Sequence, residues 1–236
     1  MKIFLVIFLS VVAVSCKKDW SYEGSSAPQY WGELDEKFKF CKIGYNQSPI
    51  DIKEKFTDGD LKFSYRLSDI EKQRENYAMN INFDGNSEGQ NFLLRGKKKY
   101  LLRKMLFRHP SEHLLDGAQH SLELQIYHKS DDEQWLVLGI FLEVGKENSE
   151  FKKLVNFLTT SGVEGKIDLS KIVKSDDKSF FYDGSFTTPP CKEGVKWYVM
   201  QTPIEISKSQ MNQIIKSAIF SKSNARPVQE FHSEKY

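Results

Sequence analysis

"KMLFRHPSEHLLDGAQHSLELQIYHKS" (residues 104–130) contains four of the five histidines in the chain. Apolar residues alternate with others in LELQIYH, which predicts a β-strand, and DGAQHS before it predicts a turn. We expect the residues before Pro110 to form a second strand. Clustered histidines suggest a metal site. Side chains of a strand alternate between its two faces, however, so the spacing of the histidines decides whether any of them can bind one ion together.

Length and composition predict a globular protein with a sizeable core. The chain has 236 residues, of which 39% are hydrophobic and 13% aromatic, and only 7 prolines. One large domain is the simplest interpretation. The formal net charge of +2 is too small to indicate a nucleic-acid partner.

Short strands dominate the rest of the sequence. Strand patterns are found in YAMNINFDG, LELQIYH, EQWLVLGIFLEVG and GVKWYVMQTPIEI. Helical patterns are confined to NSEFKKLVNFLTTS and SKSQMNQIIKSA, which begin with Asn or Ser in a capping position. No repeat or low-complexity segment interrupts this pattern.

The N-terminal sequence pattern predicts an export signal. Residues 1–15 place one early lysine before an apolar run that is too short to span a bilayer. Ala13-Val14-Ser15-Cys16 resembles the lipobox of bacterial lipoproteins, so we expect a lipid-anchored protein of the bacterial cell envelope. Ordinary signal cleavage, giving a periplasmic or secreted soluble protein, is the alternative. Residues 16–30 are then a tether, and residues 31–236 form the domain.

The three cysteines fit this interpretation. An odd number of cysteines in an exported chain requires a separate role for one of them. If Cys16 is lipidated, Cys41 and Cys191 are free to form one disulfide, which would be worth about 4–5 kcal/mol in the entropic account. Two buried thiols are the alternative.

Several stretches together resemble the α-class carbonic anhydrases, in particular the bacterial members. They are WSYEG, QYWGEL, NQSPIDI, PSEHLLDG, LELQIYH, WLVLGIFLEVG, GSFTTPPCKEGVKW, IEISKSQM and NARPVQ, in the order and spacing of that family. The resemblance implies a mainly β fold with peripheral short helices (α+β), built on a large, mostly antiparallel central sheet. It also implies a disulfide between Cys41 and Cys191.

The resemblance further implies a zinc site, and here the sequence departs from the family. Family enzymes hydrate carbon dioxide with zinc on three histidines, two of them at i and i+2 on one strand and the third on a neighbouring strand. Zinc lowers the pKa of its bound water from about 15.7 to near 7. The three matching positions here are Leu106, Arg108 and Gln125. Because none of them suits zinc, we expect no metal cofactor and no hydratase activity.

The histidines that remain are displaced from the ligand positions. His109 lies one residue past the second position, so alternation turns it to the opposite face. His113 matches a family histidine that hydrogen-bonds inside the fold, and His128 matches one near the end of its strand. His120 lies in a turn that we expect to be exposed. A relocated zinc site near His109 and His113 is the alternative, although Pro110 disfavours a helix that would align the pair.

Much of the surrounding site matches the family. Glu112 and Thr187 match residues that orient the zinc-bound hydroxide, Glu123 matches the acid that supports the third histidine, and Tyr77 replaces the proton-shuttle histidine. The predicted pocket residues are Tyr127, Val137, Phe186, Thr188, Val195 and Trp197, and Tyr127 should fill part of the carbon dioxide pocket.

Arg108 brings a permanent positive charge to the former metal position. Either it forms a buried ion pair with Glu112 or Glu123 that replaces the metal as structural support, or, with Thr187, it binds a small anion such as bicarbonate.

A second cationic feature precedes this position. The stretch RGKKKYLLRKMLFR contains the basic residues Arg95, Lys97, Lys98, Lys99, Arg103 and Lys104. Charge runs usually form solvated faces, but an exposed cluster would also attract an acidic polysaccharide or another surface ligand of a host.

Two classes of function follow. The first is a surface-tethered, non-enzymatic binding or adhesion domain with a carbonic-anhydrase-like fold, and the second is a divergent zinc-dependent carbonate dehydratase. The residues Leu106, Arg108 and Gln125 favour the first.

Overall fold

The computed structural model describes residues 19–53, 55, 57, 61–83, 90–173 and 178–232. The predicted signal peptide and the predicted lipidation site Cys16 lie outside these residues. Within the described part of the chain, no helix has the length and apolar character needed to cross a membrane.

Fourteen strands and four α-helices are assigned in the described residues. The strands are β1 (Asp51–Ile52), β2 (Leu61–Ser64), β3 (Leu67–Glu75), β4 (Ala78–Phe83), β5 (Phe92–Arg95), β6 (Lys98–Arg108), β7 (Leu114–Leu115), β8 (Ala118–Gln119), β9 (Leu122–Lys129), β10 (Trp135–Val144), β11 (Glu164–Asp168), β12 (Ser179–Ser185), β13 (Glu193–Met200) and β14 (Ile204–Ile206). The helices are α1 (Trp31–Leu34), α2 (Phe40–Ile43), α3 (Ser149–Thr159) and α4 (Lys208–Ala218).

One 11-stranded sheet organises the molecule. Its main path runs β11-β3-β4-β6-β9-β10-β13-β12, with β14 beside β10 and the β2–β5 pair joined to β6. The pairs along β3, β4, β6, β9 and β10 are antiparallel, whereas β13 and β14 pair with β10 in parallel. The predicted large, mostly antiparallel sheet is therefore confirmed.

The two faces of the sheet have different roles. Along β10, Leu138 and Ile140 point into the larger core, whereas Val137 and Phe141 point into a smaller cluster on the other face. The period-2 alternation of a strand produces this division. Helices α3 and α4 cover the larger core, so the opposite face is left for the site.

Both long helices begin where capping residues were predicted. The side chain of Asn148 accepts hydrogen bonds from the first turn of α3. Ser207 and Gln210 form a capping box at the start of α4, in which each side chain binds the other's backbone N–H. These caps satisfy amides that helix geometry leaves without partners.

The fold includes residues that the sequence assigned to a tether. The Trp20 ring packs edge-on against Trp31, with ring centroids 5.3 Å apart, and Trp31 is fully buried. Trp31 lies in one cluster with Phe38 and the disulfide. The packed domain therefore begins by Trp20 and not at residue 31, because aromatic burial orders the segment before Trp31.

The predicted disulfide joins Cys41 to Cys191, with a Cα–Cα distance of 5.0 Å and a sequence separation of 150. It links α2 to the loop before β13. This link holds the N-terminal aromatic cluster against the edge of the candidate site.

Candidate functional site

Strands β6 and β9 carry the three positions that the sequence resemblance matches to zinc ligands, namely Leu106, Arg108 and Gln125. In their antiparallel register Leu106 lies opposite Gln125, and Arg108 lies opposite Glu123. Leu106 faces the smaller cluster with Tyr127, so the alternation predicted for β6 places Leu106 and Arg108 on the site face. The geometry that would assemble three ligands is thus present, but the ligand side chains are not.

Arg108 lies at the centre of the site and is 4% exposed. Its Nε lies 3.3 Å from Oε2 of Glu112 in a buried ion pair and donates to Oε1 of Gln125 at 3.3 Å. Its Nη2 donates to Oγ1 of Thr187 at 3.3 Å. Of the two carboxylates considered from the sequence, Glu112 is therefore the partner.

The remaining guanidinium donors point toward the N-terminal and C-terminal segments. Nη1 of Arg108 donates to the Tyr22 hydroxyl at 3.0 Å and to the Asn224 carbonyl at 3.2 Å. Burial by itself lowers the pKa of Arg108, but Glu112, Tyr22 and Tyr127 together raise it by more, so the pKa lies above its ordinary value. Arg108 is consequently a permanent cation that is held by protein acceptors.

Gln125, at the third ligand position, uses its whole hydrogen-bonding capacity. Its Nε2 donates to Oε2 of Glu112 at 2.8 Å and to Oε1 of Glu123 at 3.1 Å. Its Oε1 accepts from the Tyr127 hydroxyl at 2.8 Å and from Arg108. A side-chain amide has two donors and two acceptor positions, so Gln125 is saturated.

Glu123 anchors a chain of buried polar groups. It accepts from the backbone N–H groups of Glu112 and His113, both at 2.9 Å, and Nδ1 of His113 lies 2.9 Å from its Oε1. Burial raises the pKa of Glu123. His113 and these hydrogen bonds together lower it by more, so the pKa is below its ordinary value. Nε2 of His113 lies 2.7 Å from the Tyr182 hydroxyl. Both ring nitrogens of His113 are thus engaged.

Glu112 is also held from the C-terminal segment. Its Oε1 accepts from the backbone N–H of Arg226 at 2.9 Å. The Arg226 guanidinium donates to the carbonyls of Ser48 and Cys41 at 2.7 and 2.9 Å. Burial lowers the pKa of Arg226 to about 10. This second buried arginine links the site to the disulfide region.

Three partners of the site were not identified from the sequence, namely Tyr22, Asn224 and Arg226. They lie 86, 116 and 114 residues from the groups that they bind. The stretches WSYEG and NARPVQ supported the resemblance, but no local pattern in them predicted these contacts.

The residues present do not fit a zinc ion. A hydrocarbon, a guanidinium and a saturated amide stand where three neutral imidazoles are needed, and a cation repels a dipositive metal. The alternative pair has little freedom, because Nδ1 of His109 lies 2.8 Å from the Ser121 carbonyl and both nitrogens of His113 are engaged. Across the described ranges, no three His, Cys, Asp or Glu side chains group as metal ligands.

Aromatic residues cover the site at the N-terminal side. Tyr22 and Tyr77 meet edge-on with centroids 5.4 Å apart, and the Tyr77 hydroxyl donates to the Trp20 carbonyl at 3.4 Å. Tyr77, at the shuttle position, is therefore a packing residue here. Burial raises the pKa of Tyr22, so its hydroxyl stays protonated. The cleft that remains has a volume of about 60 Å³ and reaches Arg108 and Thr188.

Five of the six predicted pocket residues pack together, and the sixth, Thr188, lines the cleft. Tyr127, Val137, Val195 and Trp197 lie together, and Phe186 packs against them. The rings of Tyr127 and Phe186 are nearly parallel, 6.4 Å apart. Tyr127 is 3% exposed, so its ring occupies part of the smaller cluster.

The basic stretch is divided between two places. Arg95 and Lys98 are paired across the turn of the β5–β6 hairpin, which also carries Lys97 and Lys99. Lys98 binds Asp132 at 2.7 Å. Lys104 lines the cleft of the site, and Glu75 lies 3.6 Å from its Nζ. Arg103 lies at an irregularity of β6, where the pairing with β9 shifts by one residue.

His120 differs from the expectation of an exposed turn residue. Its side chain is 14% exposed, its Nδ1 lies 3.1 Å from Glu143, and its ring stacks on Phe141 with centroids 4.2 Å apart. The short β8 strand and the turn after it fold back on the sheet, which the turn pattern alone does not indicate.

His128 makes the stability of the fold dependent on pH. It is fully buried in β9, with Nε2 2.8 Å from the Tyr65 hydroxyl, and burial lowers its pKa to about 3 from an ordinary value of 6.5. Between these two values the unfolded chain binds more protons than the folded protein. Stability therefore falls as the pH decreases through this range, by up to about 1.4 kcal/mol per pH unit.

We expect the substitution His128→Gln, which retains an acceptor for Tyr65, to flatten this pH dependence. Urea unfolding between about pH 4 and 8 measures it. Equal slopes for the variant and the native chain would contradict the role of His128.

The site thus holds a buried Arg108–Glu112 ion pair among the positions that the sequence resemblance matches to zinc ligands. Residues 26–235 match the model of the eukaryotic-type carbonic anhydrase family, and the chain belongs to that family.

Known relatives agree with this assignment. A carbonic anhydrase from Neisseria gonorrhoeae is 31% identical over 91% of this chain and 85% of its own length. One from Nostoc sp. is 34% identical, covering 89% of this chain and 82% of its own length. The α-carbonic anhydrase from Thermovibrio ammonificans, solved with the inhibitor sulfanilamide, has a TM-score of 0.76 and 32% identity, with 90% of this chain and 95% of that chain covered.

Proposed function

We propose that this protein is a binding or support domain with a carbonic anhydrase fold and no carbon dioxide hydratase activity. The observation that carries the proposal is the position of Arg108, where its guanidinium stands in place of a ligand and pairs with Glu112. A guanidinium is always charged near neutral pH and cannot generate hydroxide from water.

Of the two roles considered for Arg108, the contacts favour structural support. Each guanidinium nitrogen already has a protein acceptor within 3.3 Å. A bicarbonate ion would have to displace Thr187 or Tyr22 and enter a cleft of about 60 Å³. Breaking buried hydrogen bonds without replacing them is costly, so an anion-binding role is the weaker candidate.

The alternative of a divergent zinc enzyme requires His113 to leave Glu123 or Tyr182. Both contacts are fully buried, and losing them would leave polar groups unsatisfied. No observation in the described residues favours this alternative.

We further propose that the protein is exported and lipid-anchored to the bacterial cell envelope through Cys16. An acidic polysaccharide or host surface ligand at the β5–β6 hairpin remains a prediction. The contacts weaken it, because the charge of Lys98 is already paired with Asp132 and Lys104 lies at the cleft instead of the hairpin.

The test is a carbon dioxide hydration assay on the purified full chain, with and without added zinc. We expect rates equal to those of buffer in both samples. A zinc-bound active relative should be measured alongside as a positive control. Hydration above buffer that a sulfonamide such as sulfanilamide suppresses would contradict the proposal.

A further inference from the structure

An exposed apolar surface lies beside the point where the chain enters the domain. Four of the eight large hydrophobic side chains that are exposed in the described residues lie between residues 30 and 45. They are Tyr30, Phe40, Ile43 and Tyr45, with exposed fractions of 43, 44, 67 and 59%. We call them the entry patch. Scattered exposed apolar residues need no explanation, but a local concentration indicates a contact surface.

The entry patch is rigid. Phe40 and Ile43 are one turn apart on α2, whose residue Cys41 is fixed by the disulfide. After Tyr45, the Asn46 backbone N–H donates to Oε1 of Glu193 at 2.8 Å. A surface held this firmly loses little conformational entropy when it binds.

The first described residues of the chain lie near the patch. Trp20 packs on Trp31, which shares a buried cluster with Cys41 at the base of the patch. Three residues lie between Cys16 and Trp20, and the four residue steps of an extended chain span at most about 14 Å. A lipid on Cys16 would therefore hold this side of the domain close to the bilayer surface.

The charges around the patch are balanced. Lys37, Lys39 and Lys42 are each at least 49% exposed at the side chain, and each has an acidic partner. These partners are Asp35, Glu36 and Glu33, at 3.3, 3.0 and 2.7 Å. The patch therefore carries no net charge that would dominate its choice of surface. Aromatic and apolar side chains flanked by lysines are typical of the membrane interface.

We propose that the entry patch is a membrane-contact surface, which lies in the interface of the bilayer that anchors the protein. The inference rests on the proposed lipid anchor at Cys16. Apolar burial by Phe40, Ile43 and Tyr45 supplies the contact energy, and the anchor supplies the proximity. The domain then has a fixed orientation on the membrane instead of swinging on its tether.

Amine footprinting tests this on the full lipidated chain in vesicles of phosphatidylethanolamine and phosphatidylglycerol. Labelling of Lys42 is compared with that of Lys152, whose side chain is 63% exposed on α3. The variants are Ile43→Ser with Tyr45→Ser, and a control with Val144→Ser and Val163→Ser, two exposed positions outside the patch.

We expect the Lys42 to Lys152 labelling ratio to be at least about threefold lower in the native chain and the control than in the patch variant. Equal ratios in all three would overturn the proposal. Protection that disappears when the protein is diluted in the membrane would also overturn it and identify a second copy as the occupant. Mass spectrometry that finds Cys16 without a lipid would also overturn the proposal, because the proposal requires the anchor. The hydration assay is independent of every one of these outcomes, so failure here leaves the proposed function testable.

Discussion

Replacing Arg108 with methionine is expected to lower the free energy of unfolding by about 3–5 kcal/mol, the largest loss that we predict for a single substitution. The substitution leaves the Glu112 carboxylate buried without its cation, and an unpaired buried charge is far more costly than a lost surface contact. It also removes the hydrogen bonds that Arg108 donates to the Tyr22 hydroxyl, to Oγ1 of Thr187 and to the Asn224 carbonyl. Urea unfolding measured by circular dichroism gives the free energy.

Two further variants show whether the loss comes from the buried pair. The double variant Arg108→Met with Glu112→Gln removes both charges and should recover part of the stability. The matched surface control is Lys152→Met, which breaks the exposed pair with Glu147 and should cost no more than about 1 kcal/mol. A double variant no more stable than Arg108→Met alone would contradict the ion-pair account.

Restoring three histidines is the second prediction with a large effect. The triple variant Leu106→His, Arg108→His and Gln125→His should bind one zinc ion per chain with a Kd at or below about 1 μM, worth roughly 8 kcal/mol. The reason is that the register of β6 and β9 places the three positions together on the site face. Glu123 remains in place to support the third imidazole.

The matched control keeps the arginine. A double variant with Leu106→His and Gln125→His retains the guanidinium beside Glu112, and we expect no zinc binding at micromolar concentration, because the fixed cation repels the metal. Elemental analysis gives the stoichiometry. Thermal unfolding should show a zinc-dependent rise only in the triple variant, since a ligand at 100 times its Kd stabilises the folded state by about 2.7 kcal/mol. Equal binding by both variants would contradict the role of Arg108.

Hydration by the triple variant is a separate matter. Tyr127 remains in the pocket, and Tyr77 remains at the shuttle position. We therefore expect zinc binding to return more completely than activity.

Local patterns predicted the parts of the fold that depend on local physics. The alternation in β6 predicted that Leu106 and Arg108 share a face, because a strand has a strict period of two. Asn148 and Ser207 marked the starts of α3 and α4, because an N-cap side chain satisfies amides in the first turn.

Long-range contacts could not be predicted in this way. Tyr22 and Asn224 reach Arg108 only because the N-terminal and C-terminal segments fold over the same end of β6. The sequence also left open whether Arg108 forms its ion pair with Glu112 or with Glu123. The folded contacts decide this, since the side chain and the backbone N–H of His113 already engage Glu123.

The zinc content of the native chain is the most direct measurement of the central claim. The full protein, purified with and without added zinc, is examined by elemental analysis and assayed for hydration in the same samples. We predict fewer than about 0.1 zinc ions per chain and no hydration in either sample, because no neutral imidazole occupies a ligand position. About one zinc ion per chain with hydration above buffer would contradict the account and direct attention to His109 and His113.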